Sequence, residues 1–345
     1  MHRLLRCRSL ALAAVLALFA VLSACGGGGG AGGEQQAEGN KVVVKVGWVP
    51  TVAWITWLAT VDQLDSPEFR LQLTDFKSSS DTLVSLTNGS IDLGAVGYNV
   101  LADTLGKSDV DLQYVAGAST KSATFIAGKD AGVDGWSDLK GKRVGGVRGS
   151  AEYVHLVNGL RKNGMKLGKD VKFVNFQSGT DIMLALQRGE VDATISYEPL
   201  ASQATIDGVA KRVPAIQDTL FDNSFEVSSG ILARGDFLEK HPKWGVEIIK
   251  TYTEMEAKLK KDPAFAQEVY LKHATGEPKV LDEAFKHVTL DYRLDQDQVQ
   301  RVETALLDAG QLDPSVKGKL VEHLDYSFLE KATGKSPTEL GKSSS

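Results

Sequence analysis

From residue 41 onward, short β-branched runs alternate with segments whose apolar positions recur at helical spacing, and turn residues sit at the junctions. This is the pattern of an α/β protein. It predicts strands at residues 42–48, 69–76, 91–96, 112–116 and 124–127, with helices at 53–62, 81–88 and 100–105 between them. A second set of similar plan follows: strand 143–147, helix 150–163, strand 171–176, helix 181–188 and strand 191–196. Residues 226–233 are again strand-like, and everything beyond Gly235 reads as helix, with segments at 243–260, 263–273 and 297–308. The stripe Val246, Ile249, Tyr252, Met255 and Leu259 has the spacing of an ordinary core-facing helix.

The two sets are copies of one design. At an offset of 100 residues, Phe76, Ser78, Asp81, Leu86, Gly89 and Asp92 recur as Phe176, Ser178, Asp181, Leu186, Gly189 and Asp192. The six identities carry weight because they fall at turn, cap and core positions of a strand, turn, helix, strand unit.

Residues 1–24 stand apart. Arg3, Arg6 and Arg8 precede an apolar run from Leu10 to Leu22, the layout of an export signal, and the run is too short to span a membrane comfortably. The run closes on Leu22-Ser23-Ala24-Cys25, and residues 25–40 form a Gly-rich, flexible polar tether without core-forming side chains. Setting the signal aside removes three arginines and no acid, so the formal net charge moves from −5 to −8, which gives no nucleic-acid surface. Cys7 lies inside the signal, leaving Cys25 as the one thiol of the mature chain and excluding an internal disulfide. The histidines His155, His241, His273, His287 and His323 show no metal-ligand spacing, and neither a nucleophile elbow nor a phosphate loop is present. The sequence therefore calls for no metal, no cofactor and no catalytic residues, and the protein is expected not to be an enzyme.

Several motifs carry a resemblance. Residues 22–25 resemble the lipobox of bacterial lipoproteins, in which the cysteine carries lipid. Residues 44–50 (VKVGWVP), 76–80 (FKSSS), 89–94 (GSIDLG), 138–144 (DLKGKRV), Gly149-Ser150 and Tyr197-Glu198-Pro199 follow one another as in substrate-binding proteins of the nitrate/sulfonate/taurine class of ABC importers, the relatives of thiamine-pyrimidine synthases. The resemblance covers roughly residues 41–243. It implies the type II periplasmic-binding-protein fold: two α/β lobes joined by two crossing strands, with extra C-terminal helices. On this plan lobe 1 is discontinuous, residues 41–122 plus 226–340; lobe 2 is 123–225; crossings lie near 123–128 and 226–233; and 341–345 are a disordered tail.

The resemblance implies a small-molecule ligand held between the lobes, permease and ATPase subunits as partners, and a monomer. It also implies attachment to the extracytoplasmic face of the cell membrane through lipid on Cys25. Three strand-to-helix turns offer helix N-termini, whose free N–H groups and dipole favour anions: Ser78, Ser79 and Ser80 in lobe 1, Gly149 and Ser150 in lobe 2, and Ser178 with Thr180 in lobe 2. Each serine reads equally well as a helix cap. Trp54 and Trp57, three apart, could form one apolar wall or be buried against the sheet. Tyr98 and Tyr197 are placed at the cleft from opposite lobes, Glu198 is placed to hold an amine or hydroxyl, and Arg148 is either a bidentate anion contact or a solvated charge. Two ligand classes stay open, a small organic anion such as an alkanesulfonate, taurine or nitrate-like oxyanion, and a thiamine-pyrimidine-like heteroaromatic. A related pyrimidine synthase is the third reading, disfavoured by the export signal and the lack of a His/Cys constellation.

Overall fold

The computed structural model describes residues 41–148, 150–220 and 229–344. The export signal, the tether with Cys25, Gly149, residues 226–228 of the second predicted crossing and Ser345 lie outside the described residues.

The first copy runs β1 (Val42–Trp48), α1 (Ile55–Gln63), β2 (Phe69–Asp75), α2 (Ser79–Thr87), β3 (Leu93–Gly97), α3 (Tyr98–Leu105) and β4 (Leu112–Gly117). A two-residue strand, β5 (Ser119–Thr120), leads into β6 (Ala123–Gly128). The second copy follows as β7 (Arg143–Gly146), α4 (Ala151–Lys162), β8 (Lys172–Asn175), α5 (Gly179–Gln187), β9 (Ala193–Tyr197), α6 (Leu200–Ile206), β10 (Ala210–Arg212) and α7 (Pro214–Leu220). The chain then returns as β11 (Ser229–Arg234) and ends in α8 (Gly235–Lys240), α9 (Pro242–Leu259), α10 (Pro263–His273), α11 (Pro278–Phe285), β12 (Thr289–Leu290), α12 (Gln296–Asp308) and α13 (Ser327–Thr333).

The strands form two five-stranded sheets of matching plan, β2-β1-β3-β11-β4 and β8-β7-β9-β6-β10. In each, the three strands of the repeated unit are parallel, and the fourth strand runs antiparallel to them. This is the two-lobed α/β architecture expected from the sequence. The predicted crossing 123–128 and the described part of the second, from Ser229, prove to be full sheet members: β6 pairs with β9 and β10, and β11 with β3 and β4.

The repeat reaches further than the 100-residue offset shows. Val46, Gly47 and Val49 match Val144, Gly145 and Val147 at an offset of 98. Hydrogen bonds follow the same correspondence. Asp92 accepts from the Lys45 N–H at 2.8 Å and Asp192 from the Arg143 N–H at 2.7 Å, each tying the start of one strand to its neighbour. Gly89 and Gly189 take positive φ angles of 75° and 67° at the helix-to-strand turns, which a side chain would strain. Beneath each sheet the repeated phenylalanine crosses a glycine. A Cβ on Gly47 would lie 2.7 Å from both Phe76 and Ile91, and one on Gly145 3.2 Å from Phe176 and Ile182.

The C-terminal helices pack on elements of both copies. α9 packs on α1 and α13, whereas α11 packs on α6 and α12 on α4. The expectation of helix throughout after Gly235 is corrected by β12, which pairs antiparallel with β5. Two residues are too few to interrupt a helical pattern in sequence. The short helices α6 and α7 also escaped prediction, because one or two turns give periodicity little to act on. No helix of the described residues is long and apolar enough to cross a membrane.

Gly47→Ala is expected to destabilise the fold by about 1–3 kcal/mol through overpacking. The equivalent Gly145→Ala, with its nearest atoms 3.2 Å away, should cost less than about 1 kcal/mol. Urea unfolding of the two variants checks the asymmetry.

Candidate ligand-binding cleft

The carboxyl ends of parallel strands are where α/β sheets bind ligands, because the helices that follow turn their N-termini there. In lobe 1 this edge carries the turn after β1. Trp48 closes the strand as buried core, its indole N–H donating to Asp75 at 2.6 Å. Thr51 then caps a short 3-10 turn, Val52–Trp54, by accepting from the Ala53 N–H. Its hydroxyl donates to the main-chain carbonyl of Glu198 at 2.9 Å, and the Val52 N–H reaches the same oxygen at 3.3 Å. Two donors of lobe 1 thus meet one carbonyl of lobe 2. Two further bonds join the lobes outside this joint. Asn158 of α4 donates to the Ala305 carbonyl of α12 at 3.1 Å, and Arg161 pairs with Asp308 at 2.9 Å.

The tryptophans do not form the single wall that their spacing allows. Trp54 belongs to the 3-10 turn and is 5 % exposed, whereas Trp57 lies in α1, fully buried, with its ring 6.1 Å from that of Tyr252 on α9. Tyr98 is 2 % exposed and sits edge-on to Tyr114 at 4.5 Å. Burial pushes its phenol far above the ordinary tyrosine range. Both Trp57 and Tyr98 are thereby built into lobe 1.

In lobe 2, Ser150 caps α4 by accepting from the Tyr153 N–H. Ser78 and Ser178 cap α2 and α5 in the same way, each accepting from and donating to the aspartate three residues on, Asp81 or Asp181. These two hydroxyls are engaged by their own helices, which begin at Ser79-Ser80 and Gly179-Thr180 beside the edge strands β2 and β8. Arg148 is exposed, with its guanidinium 5.4 Å from the Tyr153 ring and 5.5 Å from Phe173, a cation held over aromatic faces. Gly149 lies outside the described residues.

Glu198 departs most from expectation. Its side chain is fully buried and its carboxylate is engaged inside lobe 2: Oε1 accepts from Arg212 at 2.9 Å and Thr124 at 3.2 Å, Oε2 from the Ser202 N–H at 3.0 Å. Arg212 also donates to Thr124 and Ser202, closing the network. The acid therefore braces the turn between β9 and α6, and it is the main chain of Glu198 that meets lobe 1, its carbonyl accepting from Thr51 and Val52 and its N–H donating to the Ser122 carbonyl at 3.0 Å.

Sequence reasoning did not single out Glu152. It stands in the first turn of α4, where an acid reads as a helix-dipole partner. Burial raises the Glu152 carboxyl above the ordinary range, partly offset by the nearby Ser150 hydroxyl, its own backbone and the phenol of Tyr197, which is half-buried at the end of β9. Thr51 and Arg212 were not singled out either, because their partner Glu198 is reached only through the fold. Among the described residues no group of three His, Cys, Asp or Glu side chains could hold a metal ion.

Residues 37–271 match the NMT1-like family. The chain belongs to that family. This NMT1-like chain is also 27 % identical over 195 residues to a putative aliphatic sulfonates-binding protein of Escherichia coli strain K12, a match covering 55 % of the chain and 58 % of that relative's length. Two solved structures share its fold. One is a ligand-binding component of an ABC-type import system from Staphylococcus aureus, with a TM-score of 0.72, 18 % identity, and 86 % and 100 % of the two chains covered. The other is the alkanesulfonate-binding protein SsuA from Xanthomonas axonopodis pv. citri bound to MOPS, with a TM-score of 0.69, 20 % identity, and 83 % and 99 % covered.

Removing Arg212 from this NMT1-like chain would leave a buried carboxylate unpaired. Arg212→Met is expected to destabilise it by about 3–5 kcal/mol, and adding Glu198→Gln should recover much of the loss. Denaturant midpoints of the single and double variants measure both effects.

Proposed function

We propose that this chain is the solute-binding component of an ABC importer. A small organic anion, an alkanesulfonate or related oxyanion, is captured between residues 41–122 plus 226–340 and residues 123–225, and closure delivers it to a permease driven by its ATPase. The joint at the Glu198 carbonyl carries this reading: it links the two duplicated sheets at their carboxyl ends, next to Tyr197. The NMT1-like match and the sulfonate-binding relative support the ligand class. The lipobox-like residues 22–25 support an exported, monomeric lipoprotein held on the extracytoplasmic face through Cys25, and no catalytic step is assigned to it.

A second reading, capture of a thiamine-pyrimidine-like heteroaromatic, is favoured by one observation. Arg148, the arginine placed to pair with a sulfonate, is stacked on Tyr153 and Phe173 instead.

Native mass spectrometry of the protein purified from its own host should find a bound sulfonate or related anion. A bound pyrimidine would replace this reading with the second. On fractionation the wild-type chain should sediment with membranes and Cys25→Ala should appear in the soluble fraction; identical partitioning would remove the lipid anchor.

A further inference from the structure

The carboxyl of Glu152 is only partly satisfied. Its Oε2 is shut off from solvent and has no hydrogen-bond partner. Enclosed acceptors of this kind are rare in folded proteins, and one at a strand's carboxyl end points to a donor that arrives from outside the chain. The surroundings fit a ligand-facing position. Val154, two residues on, packs into the hydrophobic core of lobe 1 rather than that of lobe 2. Tyr197 immediately precedes Glu198, whose carbonyl receives Thr51 and Val52. The acid therefore lies where both lobes converge, within a residue of the turn that joins them.

We infer that Glu152 is a specificity-determining residue of the cleft and selects ligands that present an N–H donor, an ammonium or an amino group, to its free oxygen. This rests on the solute-binding reading given above and narrows its ligand class, because a simple alkanesulfonate has no such donor. The ammonium of an aminosulfonate and the exocyclic amino group of a pyrimidine both qualify.

Calorimetric titration of the ligand-stripped, full-length protein with two matched pairs tests this. The pairs are 2-aminoethanesulfonate with ethanesulfonate, and 4-amino-2-methylpyrimidine with 2-methylpyrimidine. In whichever pair binds, the amino member should bind at least about tenfold more tightly, the size expected of one hydrogen bond to a charged group. Glu152→Gln should shrink that ratio to less than about threefold. Equal affinity within a binding pair overturns the role of Glu152 and leaves the solute-binding reading standing. Discrimination confined to the pyrimidines upholds Glu152 and overturns the sulfonate class. Binding of none of the four overturns the inference. The wild-type comparison needs no variant, so the test survives if Glu152→Gln folds poorly.

Discussion

The main-chain carbonyl of Glu198 is the point on which the two lobes register. It accepts from the Thr51 hydroxyl and the Val52 amide of the opposite lobe. It can do so only because the side chain of the same residue is held rigidly behind it. The Arg212, Thr124 and Ser202 donors neutralise a carboxylate that could not otherwise remain dry. A buried ion pair is weak evidence for stability, but here it fixes the direction of one carbonyl. The interlobe joint and the placement of Tyr197 both follow from it.

Around that joint the contacts differ in strength. The end of β4, ahead of the first crossing, is tightly clamped: the Gly117 N–H donates to the Tyr292 carbonyl, Tyr252 donates to the Gly117 carbonyl, and a Cβ at this glycine would lie 2.2 Å from the Arg293 carbonyl. Further out, the lobes touch through single bonds, Asn158 to Ala305 and the half-exposed pair Arg161 with Asp308. Such exposed pairs contribute about 1 kcal/mol or less. A firmly held strand end thus sits beside interlobe contacts that are individually weak.

Much of this was legible in the chain. The alternation of strand and helix and the duplication follow from hydrophobic period and motif order, because those signals are local. The site was less legible, and Glu198 explains why. A glutamate before proline looks the same whether it faces a ligand or an arginine fourteen residues ahead; which it does depends on β10 lying beside β6, a long-range fact. Trp57 was ambiguous for the same reason, since its partner Tyr252 comes from a helix nearly two hundred residues later. The serines at 78 and 178 carried two meanings that only geometry separates, and their hydroxyls turn to Asp81 and Asp181.

The change of offset from 98 to 100 between the two copies has its own consequence. The register is 98 through β1 and β7 and 100 from Phe76 and Phe176 onward, so lobe 2 carries two extra residues between these points. The helix and loop that absorb them differ between copies, α4 being twelve residues to the nine of α1. Each loop returns at the start of β2 or β8, the pole of the lobe opposite the strand ends where Glu152 and Thr51 stand. Length can vary at that pole without moving a single cleft atom, which makes it the natural place to insert a reporter loop.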